Sequence, residues 1–215
     1  MKPLVILRPE PGASRTAARA EALGLRVVRV SLFAVVPMEW EAPDTGEFDA
    51  LILTSANAVR HGGEALLKLR SLPVHAVGEA TAAMARAAGF RVVSIGERGS
   101  RSMSLPQGQR LLHLAGRDHL PIPGTTSIAV YEARAVDTPE GISQLGDCVA
   151  LVHSARAGAR LAMLVQDRSR IAIAAISGAA ADACGSGWLT IEAAPQPNDS
   201  ALLALAARLC ESHHA

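Results

Sequence analysis

Ten short apolar segments, separated by alanine-rich stretches, run the length of the chain and limit the folds open to it. Each has four to seven residues, mostly Val, Ile, Leu and Ala, which is typical of β-strands buried on both faces. The segments are 4–7, 26–32, 50–53, 74–77, 91–95, 110–115, 127–131, 149–153, 171–176 and 188–193. The stretches between them predict helices, among them 14–23, 79–88 and 199–211. This alternation indicates an α/β fold, and ten strands are housed more easily in two five-stranded parallel sheets than in one.

One strand–helix junction occurs twice in the chain. Residues 49–59 read DALILTSANAV, and ninety-nine positions later residues 148–158 read CVALVHSARAG. The same shift relates AVGEATAA at 76–83 to AISGAAAD at 175–182. A repeat of this length is too long for a solenoid and favours duplication of an α/β unit. The alternative is that abundant Ala, Val and Leu make any two junctions look alike.

The amino-acid composition argues against several classes of partner and of binding site. The 21 basic and 20 acidic side chains give a net charge of +1, and aromatic residues are few, so nucleic acid is not an expected partner. No apolar run approaches the roughly 20 residues that cross a membrane, and MKPLVILRPE is expected to be a first strand and not a secretion signal. Cys148, Cys184 and Cys210 form no CxxC pair, which argues against disulfides and a zinc site. We therefore expect a cytoplasmic protein with no metal and no cofactor.

Six segments together resemble the uroporphyrinogen-III synthase family, in the same order and over nearly the whole chain. They are LRPEPG at 7–12, FDALILTSANAV at 48–59, VHAVGEATAAMARAAGF at 74–90, LLHLAGRDH at 111–119, IAVYEA at 128–133 and APQPNDSALLALAARL at 194–209. The resemblance implies two flavodoxin-like lobes, each a five-stranded parallel sheet with helices on both faces. A two-stranded connection would join them, with the substrate in the cleft between. It places one lobe at 1–34 plus 141–215 and the other at 35–140, with crossings at 31–40 and 130–138.

The resemblance also implies a reaction. Members of the family close hydroxymethylbilane, a linear tetrapyrrole with eight carboxylates, to uroporphyrinogen III, a step of porphyrin and heme biosynthesis. The last pyrrole ring is inverted and water is lost. Such an enzyme must help hydroxide to leave and fold the chain before the wrong isomer forms, which needs a cleft rich in anion donors. We expect a monomer, since duplication already supplies internal pairing.

The candidate anion donors follow the strands, where an open α/β sheet places ligands at strand ends and helix starts. Backbone N–H groups there bind carboxylates whatever the side chain is, so alanine can serve. The candidates for substrate binding are Arg8, Ser55, Ala56, Asn57, Gly78, Thr81, Gly116, Arg117, Ser154, Arg156, Ser177 and Ala179, with Thr54 beside them.

Each candidate has a purely structural interpretation as well. Ser55 and Ser154 can be N-caps, and Thr81 can bond a carbonyl of its own helix. The three arginines can be exposed charges. Tyr131, the single tyrosine, matches the tyrosine of the family's VY motif, which implies a catalytic role as a weak acid toward the departing hydroxyl. The alternative is a lining residue that packs on the crossing strand.

Familiar catalytic motifs are missing from the chain. It has no metal-ligand spacing, no GxGxxG, no P-loop and no GxSxG elbow. The histidines are scattered, and His113 and His153, within strand segments, are expected to be satisfied core or rim residues. A rival function is a non-enzymatic, two-lobed cytoplasmic binder of a small anionic metabolite; a nucleotide-dependent enzyme is a third. The segment 96–109 is short and rich in Gly, Ser and Arg where a helix would normally pack.

Overall fold

The computed structural model describes residues 1–96 and 108–211 of the chain. The segment 96–109 therefore lies almost wholly outside the described residues. The strands are β1 (Leu4–Ile6), β2 (Val27–Arg29), β3 (Phe33–Pro37), β4 (Ala50–Leu53), β5 (Val74–Val77), β6 (Val92–Gly96), β7 (Leu111–Gly116), β8 (Thr125–Ala135), β9 (Cys148–Val152), β10 (Ile171–Ala175) and β11 (Thr190–Ala193). The helices are α1 (Gly12–Ala22), α2 (Ala56–His61), α3 (Gly63–Leu67), α4 (Glu79–Ala87), α5 (Ala155–Leu164), α6 (Gly178–Asp182) and α7 (Asp199–Glu211).

The chain divides into two units, and each has its own sheet. Unit 1 comprises Met1–Ala34 and Ala135–Ala215, and unit 2 comprises Val35–Arg134. The sheet of unit 1 has the strand order β11-β10-β9-β1-β2, with every neighbouring pair parallel. Its central strands are buried along their whole length, as the unbroken apolar runs predict. Leu202, Leu203 and Leu209 of α7 pack on this sheet.

The second sheet has six strands in the order β3-β8-β7-β4-β5-β6. Strands β4 to β8 pair in parallel, whereas β3 is antiparallel to β8. The hydrogen bonds from Met38 N to Val130 O and from Val136 N to Leu32 O show this direction, because one residue number rises as the other falls. The expectation of two purely parallel five-stranded sheets is therefore wrong for this one. The segment that contains β3 pairs with the edge of the 11-residue β8 and forms the sixth strand of this sheet.

Corresponding strands occupy the same positions in the two sheets. The order β2-β1-β9-β10-β11 in unit 1 matches β8-β7-β4-β5-β6 in unit 2, and the repeated junctions follow β4 and β9 in their respective sheets. Duplication of one five-strand unit predicts this matching order. Because parallel strands end at one edge of their sheet, the segments that follow them are brought together in each unit. Among the described residues, no helix is both long enough and apolar enough to cross a membrane.

Candidate active site

A cavity of about 380 Å³ lies in unit 2, at the carboxyl ends of its strands. It is bounded by the residues that follow β4, by the end of β5, by the loop after β7 and by the face of β8. Its lining residues are Thr54, Ser55, Val77, His113, Gly116, Arg117, Asp118, His119, Leu120, Tyr131 and Ala133. The structure therefore brings together five of the predicted site residues: Thr54, Ser55, Gly116, Arg117 and Tyr131.

Tyr131 lies directly over Gly116, across the β7–β8 pair. The register of the two strands shifts between Ala115 and Gly116, so that Gly116 pairs with Tyr131. A Cβ atom at Gly116 would stand 2.7 Å from Cε2 and 3.1 Å from the hydroxyl oxygen of Tyr131. The ring of His61 covers another part of the tyrosine, with the two ring centroids 6.2 Å apart. Glycine at this position is what allows the phenol to approach the strand so closely.

Arg117 follows Gly116 and is tied to β8 through both backbone and side chain. Its N–H donates to the Tyr131 carbonyl oxygen at 2.9 Å, and its Nη1 lies 2.6 Å from Oε2 of Glu132. Arg134 contacts the other oxygen of the same carboxylate at 2.9 Å. Two guanidinium groups thus share one carboxylate beside the cavity, and a second carboxylate, that of Asp118, also lines it. Both arginine side chains are more than half exposed, so they can still reach an anion.

His113 is a buried member of the cavity wall. Its Nε2 lies 3.0 Å from the hydroxyl of Thr54, and its Nδ1 lies 3.2 Å from the hydroxyl of Ser127. Burial, assisted by the nearby His119, lowers the pKa of His113 to about 4. The imidazole is therefore neutral at neutral pH, with both ring nitrogens engaged. This is the satisfied core histidine that the sequence predicted.

His119 reaches the cavity from the loop after β7. Its backbone N–H and its ring Nδ1 both donate to the carbonyl oxygen of Gly116, at 3.1 and 2.9 Å. Its ring meets that of His113 edge to face, with centroids 5.4 Å apart. A neutral His119 held by Nδ1–H carries its lone pair on Nε2. The cavity lining therefore includes an imidazole as well as a phenol.

The remaining candidates of unit 2 belong to the starts of α2 and α4. Ser55 caps α2, with its Oγ accepting from Asn57 N at 3.2 Å, and Ala56 and Asn57 form the first turn of that six-residue helix. Gly78 precedes α4 with a φ of +78°, a conformation that favours glycine, and Thr81 is buried in the same helix. The capping interpretation therefore describes Ser55, although Ser55 also lines the cavity.

In unit 1 the serine candidates also act as caps. Ser154 Oγ accepts from Ala157 N at 3.2 Å at the start of α5, and Ser177 Oγ accepts from Ala180 N at 3.3 Å at the start of α6. Ala179 is exposed in the first turn of α6. The guanidinium carbon of Arg156 lies 4.6 Å from the centroid of the Phe33 ring, a cation–π contact.

Arg8 belongs to a network centred on Asp199, the first residue of α7. The carboxylate of Asp199 contacts Arg8 at 3.4 Å, Arg19 at 3.3 Å, the hydroxyl of Thr16 at 3.0 Å and Nε2 of His153 at 3.1 Å. Burial and the charge of Arg8 lower the pKa of His153 to about 4. Arg8 is therefore paired within unit 1 and, unlike Arg117, does not line the cavity.

The sequence interpretation missed several cavity residues. Val77, Asp118, Leu120 and Ala133 were not candidates, His119 was counted only among scattered histidines, and Glu132 was not considered as the partner of Arg117. The signal for His119 was available: it lies three residues beyond β7, where the strand-end rule already pointed to Gly116 and Arg117. Among residues 1–96 and 108–211, no three His, Cys, Asp or Glu side chains are grouped so as to hold a metal ion.

The family model described as uroporphyrinogen-III synthase HemD matches residues 14–204 of the chain. The chain resembles the crystal structure of uroporphyrinogen-III synthetase from Helicobacter pylori 26695, with 18% identity over 97% of this chain and 100% of that one, and a TM-score of 0.66. A mutant uroporphyrinogen III synthase from the extremely thermophilic bacterium Thermus thermophilus is 18% identical over 98% and 100% of the two chains, with a TM-score of 0.46. Comparison with curated proteins found no match. The Helicobacter pylori structure supports the fold, and the family match covers most of the sequence. The chain belongs to the uroporphyrinogen-III synthase family.

Proposed function

We propose that the cavity of unit 2 receives the hydroxymethyl-bearing end of hydroxymethylbilane and that Tyr131 assists the departure of its hydroxyl group. Enzymes of this family cyclise hydroxymethylbilane to uroporphyrinogen III, inverting the last pyrrole ring and releasing water. The observation that carries the proposal is the position of Tyr131, whose ring lines the cavity and is held over Gly116. A phenol donates one hydrogen bond, as a leaving hydroxide requires.

The size of the cavity supports binding of one end of the substrate. Small-molecule sites usually have volumes of about 300–1,000 Å³, and this cavity of about 380 Å³ lies at the low end. It is too small for an entire four-ring substrate but suits the reacting end. Substrate carboxylates would meet Arg117, which lines the cavity with a side chain that is more than half exposed, and the similarly exposed Arg134, which contacts the same glutamate.

The remaining predicted ligands are kept as parts of the same proposal. Ala56, Asn57, Gly78 and Thr81 in unit 2, and Arg8, Ser154, Arg156, Ser177 and Ala179 in unit 1, lie at strand ends and helix starts. A serine cap occupies only one of the four backbone N–H groups that a helix leaves unpaired at its start, so capping and anion binding are compatible. All three arginines have contacts within the chain, but Arg117 lines the cavity and Arg8 and Arg156 do not, which makes Arg117 the strongest candidate of the three.

We further infer the larger organisation from the resemblance and from strand order. The order β2-β1-β9-β10-β11 is flavodoxin-like, and the parallel strands of unit 2 have the same order after circular permutation. Two flavodoxin-like lobes, 1–34 plus 141–215 and 35–140, joined by two crossing strands, fit this pattern. We also propose that the protein is cytoplasmic, does not bind nucleic acid and is a monomer. Sedimentation at working concentrations tests the monomeric state.

The replacement Tyr131→Phe tests the role of the phenol. We expect the rate of uroporphyrinogen III formation to fall at least tenfold, measured by separating the oxidised product isomers formed from enzymatically made hydroxymethylbilane. The matched control is Thr126→Val, which removes an exposed hydroxyl near the other end of the same strand and should keep the full rate. Equal thermal stability of the two variants confirms that the fold is intact.

Two outcomes would overturn the proposal. A Tyr131→Phe variant with an unchanged rate would reduce Tyr131 to a lining residue that packs on β8. Type I product alone from the unmodified chain would mean that this member of the family does not direct ring inversion. The first result removes the assigned role of one residue, and the second removes the activity itself.

A further inference from the structure

We propose that His119 is a second catalytic residue, whose Nε2 accepts the proton that ring closure releases. The inference rests on the proposed function of the cavity and deepens it. Gly116 contacts two residues of the cavity lining, Tyr131 and His119. The absence of a side chain at Gly116 admits the Tyr131 ring, and the Gly116 carbonyl oxygen receives both N–H groups of His119. The phenol and the imidazole are thus positioned by one residue.

The hydrogen bond to Gly116 determines which nitrogen of His119 can act as a base. With Nδ1–H donating to a carbonyl oxygen at 2.9 Å, the neutral ring carries its lone pair on Nε2. The carbonyl is an acceptor only, so this tautomer is enforced.

Two other groups that line the cavity, His113 and Arg117, are less suited to this role. Both nitrogens of His113 are engaged by hydroxyls, and its pKa of about 4 makes it a poor base. Arg117 carries a proton at any working pH and is bound to Glu132. The edge-to-face contact with His113 places a second ring, also part of the lining, against His119. His119 therefore combines a place in the lining with a defined lone pair.

The chemistry needs one acid and one base, and the protons balance. When hydroxide leaves, the C–O bond breaks with both electrons on oxygen, and the Tyr131 phenol supplies the proton that makes water. When the last carbon–carbon bond forms, the α-carbon of the last pyrrole ring that makes this bond still carries its hydrogen. Its C–H bond breaks, the electron pair restores the pyrrole, and Nε2 of His119 takes the proton. Transfer from the imidazolium to the phenolate through water resets both groups, so no proton is consumed overall.

The replacement His119→Asn separates this role from a structural one. The asparagine amide can take the place of Nδ1–H and still donate to Gly116, but it has no basic nitrogen. We expect kcat to fall about a hundredfold, a typical contribution of general acid–base catalysis, with KM within about twofold. The matched control is His75→Asn in β5, a histidine of the same unit whose Nδ1 contacts Ser94 and which does not line the cavity. Its kcat should be unchanged.

Two further measurements report on proton removal itself. Substrate with deuterium at the free α-carbon of the last ring should react at the normal rate in the unmodified enzyme and at least twofold more slowly than unlabelled substrate in His119→Asn. Added imidazole should restore part of the lost kcat. His119→Gln, which places its amide nearer to the Nε2 position, should show the same isotope effect if His119→Asn is unstable.

The outcomes distinguish this inference from the proposal on which it rests. An unchanged kcat, or a raised KM with unchanged kcat, would overturn the role of His119 and leave the role of Tyr131 standing. A reduced kcat with neither isotope effect nor imidazole rescue would mean that His119 only supports the wall of the cavity. Absence of type III product from the unmodified enzyme would instead overturn the proposed function.

Discussion

The ring of Tyr131 rests against the backbone of Gly116, so closely that a single added methyl group would stand 2.7 Å from the ring edge. Real Cβ contacts of this length do not occur, and the backbone of two paired strands cannot easily retreat. The register shift between Ala115 and Gly116 is what places the two residues opposite each other. The position of the phenol therefore depends on a residue with no side chain.

We predict that Gly116→Ala lowers the rate of type III product formation at least tenfold, because the new methyl group displaces the phenol. Combined with Tyr131→Phe, it should cost little more, since both changes remove the same hydroxyl from its place. The rates of the two single variants and the double variant test this. Gly146→Ala is the control, because a Cβ atom there meets nothing within 4 Å. Fully additive losses would contradict the coupling.

Arg117 and Arg110 provide a second comparison, because they lie at opposite ends of β7. Arg110 is bound to Asp49 where β7 starts, and Arg117 lies beside the cavity where it ends. We predict that Arg117→Ala raises KM about three- to tenfold, since a charge-assisted contact to a substrate carboxylate is lost. The effect should shrink at high salt.

Arg110→Ala removes the same charge next to the other end of β7 and should leave KM unchanged. Initial rates over a range of substrate concentrations, at low and high ionic strength, measure both variants. An equal rise in KM for the two would point to net charge as the cause and away from a local contact.

Much of the fold was predictable, because the apolar runs and their spacing report burial directly. Each of the ten predicted segments contains or overlaps a strand, and helices α1, α4 and α7 lie where they were expected. Strand ends also predicted part of the cavity wall. The capping of Ser55, Ser154 and Ser177 was readable for the same reason, since N-caps are local.

Pairings between distant residues were not predictable from one sequence. Arg8 and Asp199 are 191 positions apart, and nothing local to either indicates that they meet. The sixth strand depends on the free edge of β8, which is visible only once the sheet is assembled. Arg117 and Glu132 form an ion pair beside the cavity, next to a register shift between β7 and β8 that no sequence pattern indicates.

Asp199 is expected to stabilise unit 1, because its carboxylate is contacted by Arg8, Arg19, Thr16 and His153. Asp199→Asn removes the charge that these groups share and leaves the partly buried Arg8 without its counter-charge. We predict a loss of about 1–3 kcal/mol in the free energy of unfolding, measured by urea denaturation. The control is Asp137→Asn, a fully exposed carboxylate 3.9 Å from Arg160, which should have no measurable effect.

The buried histidines predict how stability depends on pH. His113 and His153 have pKa values of about 4 in the folded chain, against 6.5 for an unperturbed histidine. Between these two values the unfolded chain binds more protons than the folded one, so stability is full above pH 6.5 and falls as the pH drops toward 4. Each histidine contributes up to about 3 kcal/mol to this fall, since one pKa unit corresponds to about 1.4 kcal/mol. Urea denaturation at about pH 7, 6, 5 and 4 measures the free energy of unfolding. His113→Gln should reduce the slope of this free energy against pH by the amount that corresponds to about one bound proton. A slope equal to that of the unmodified chain would mean that His113 is not held neutral in the fold.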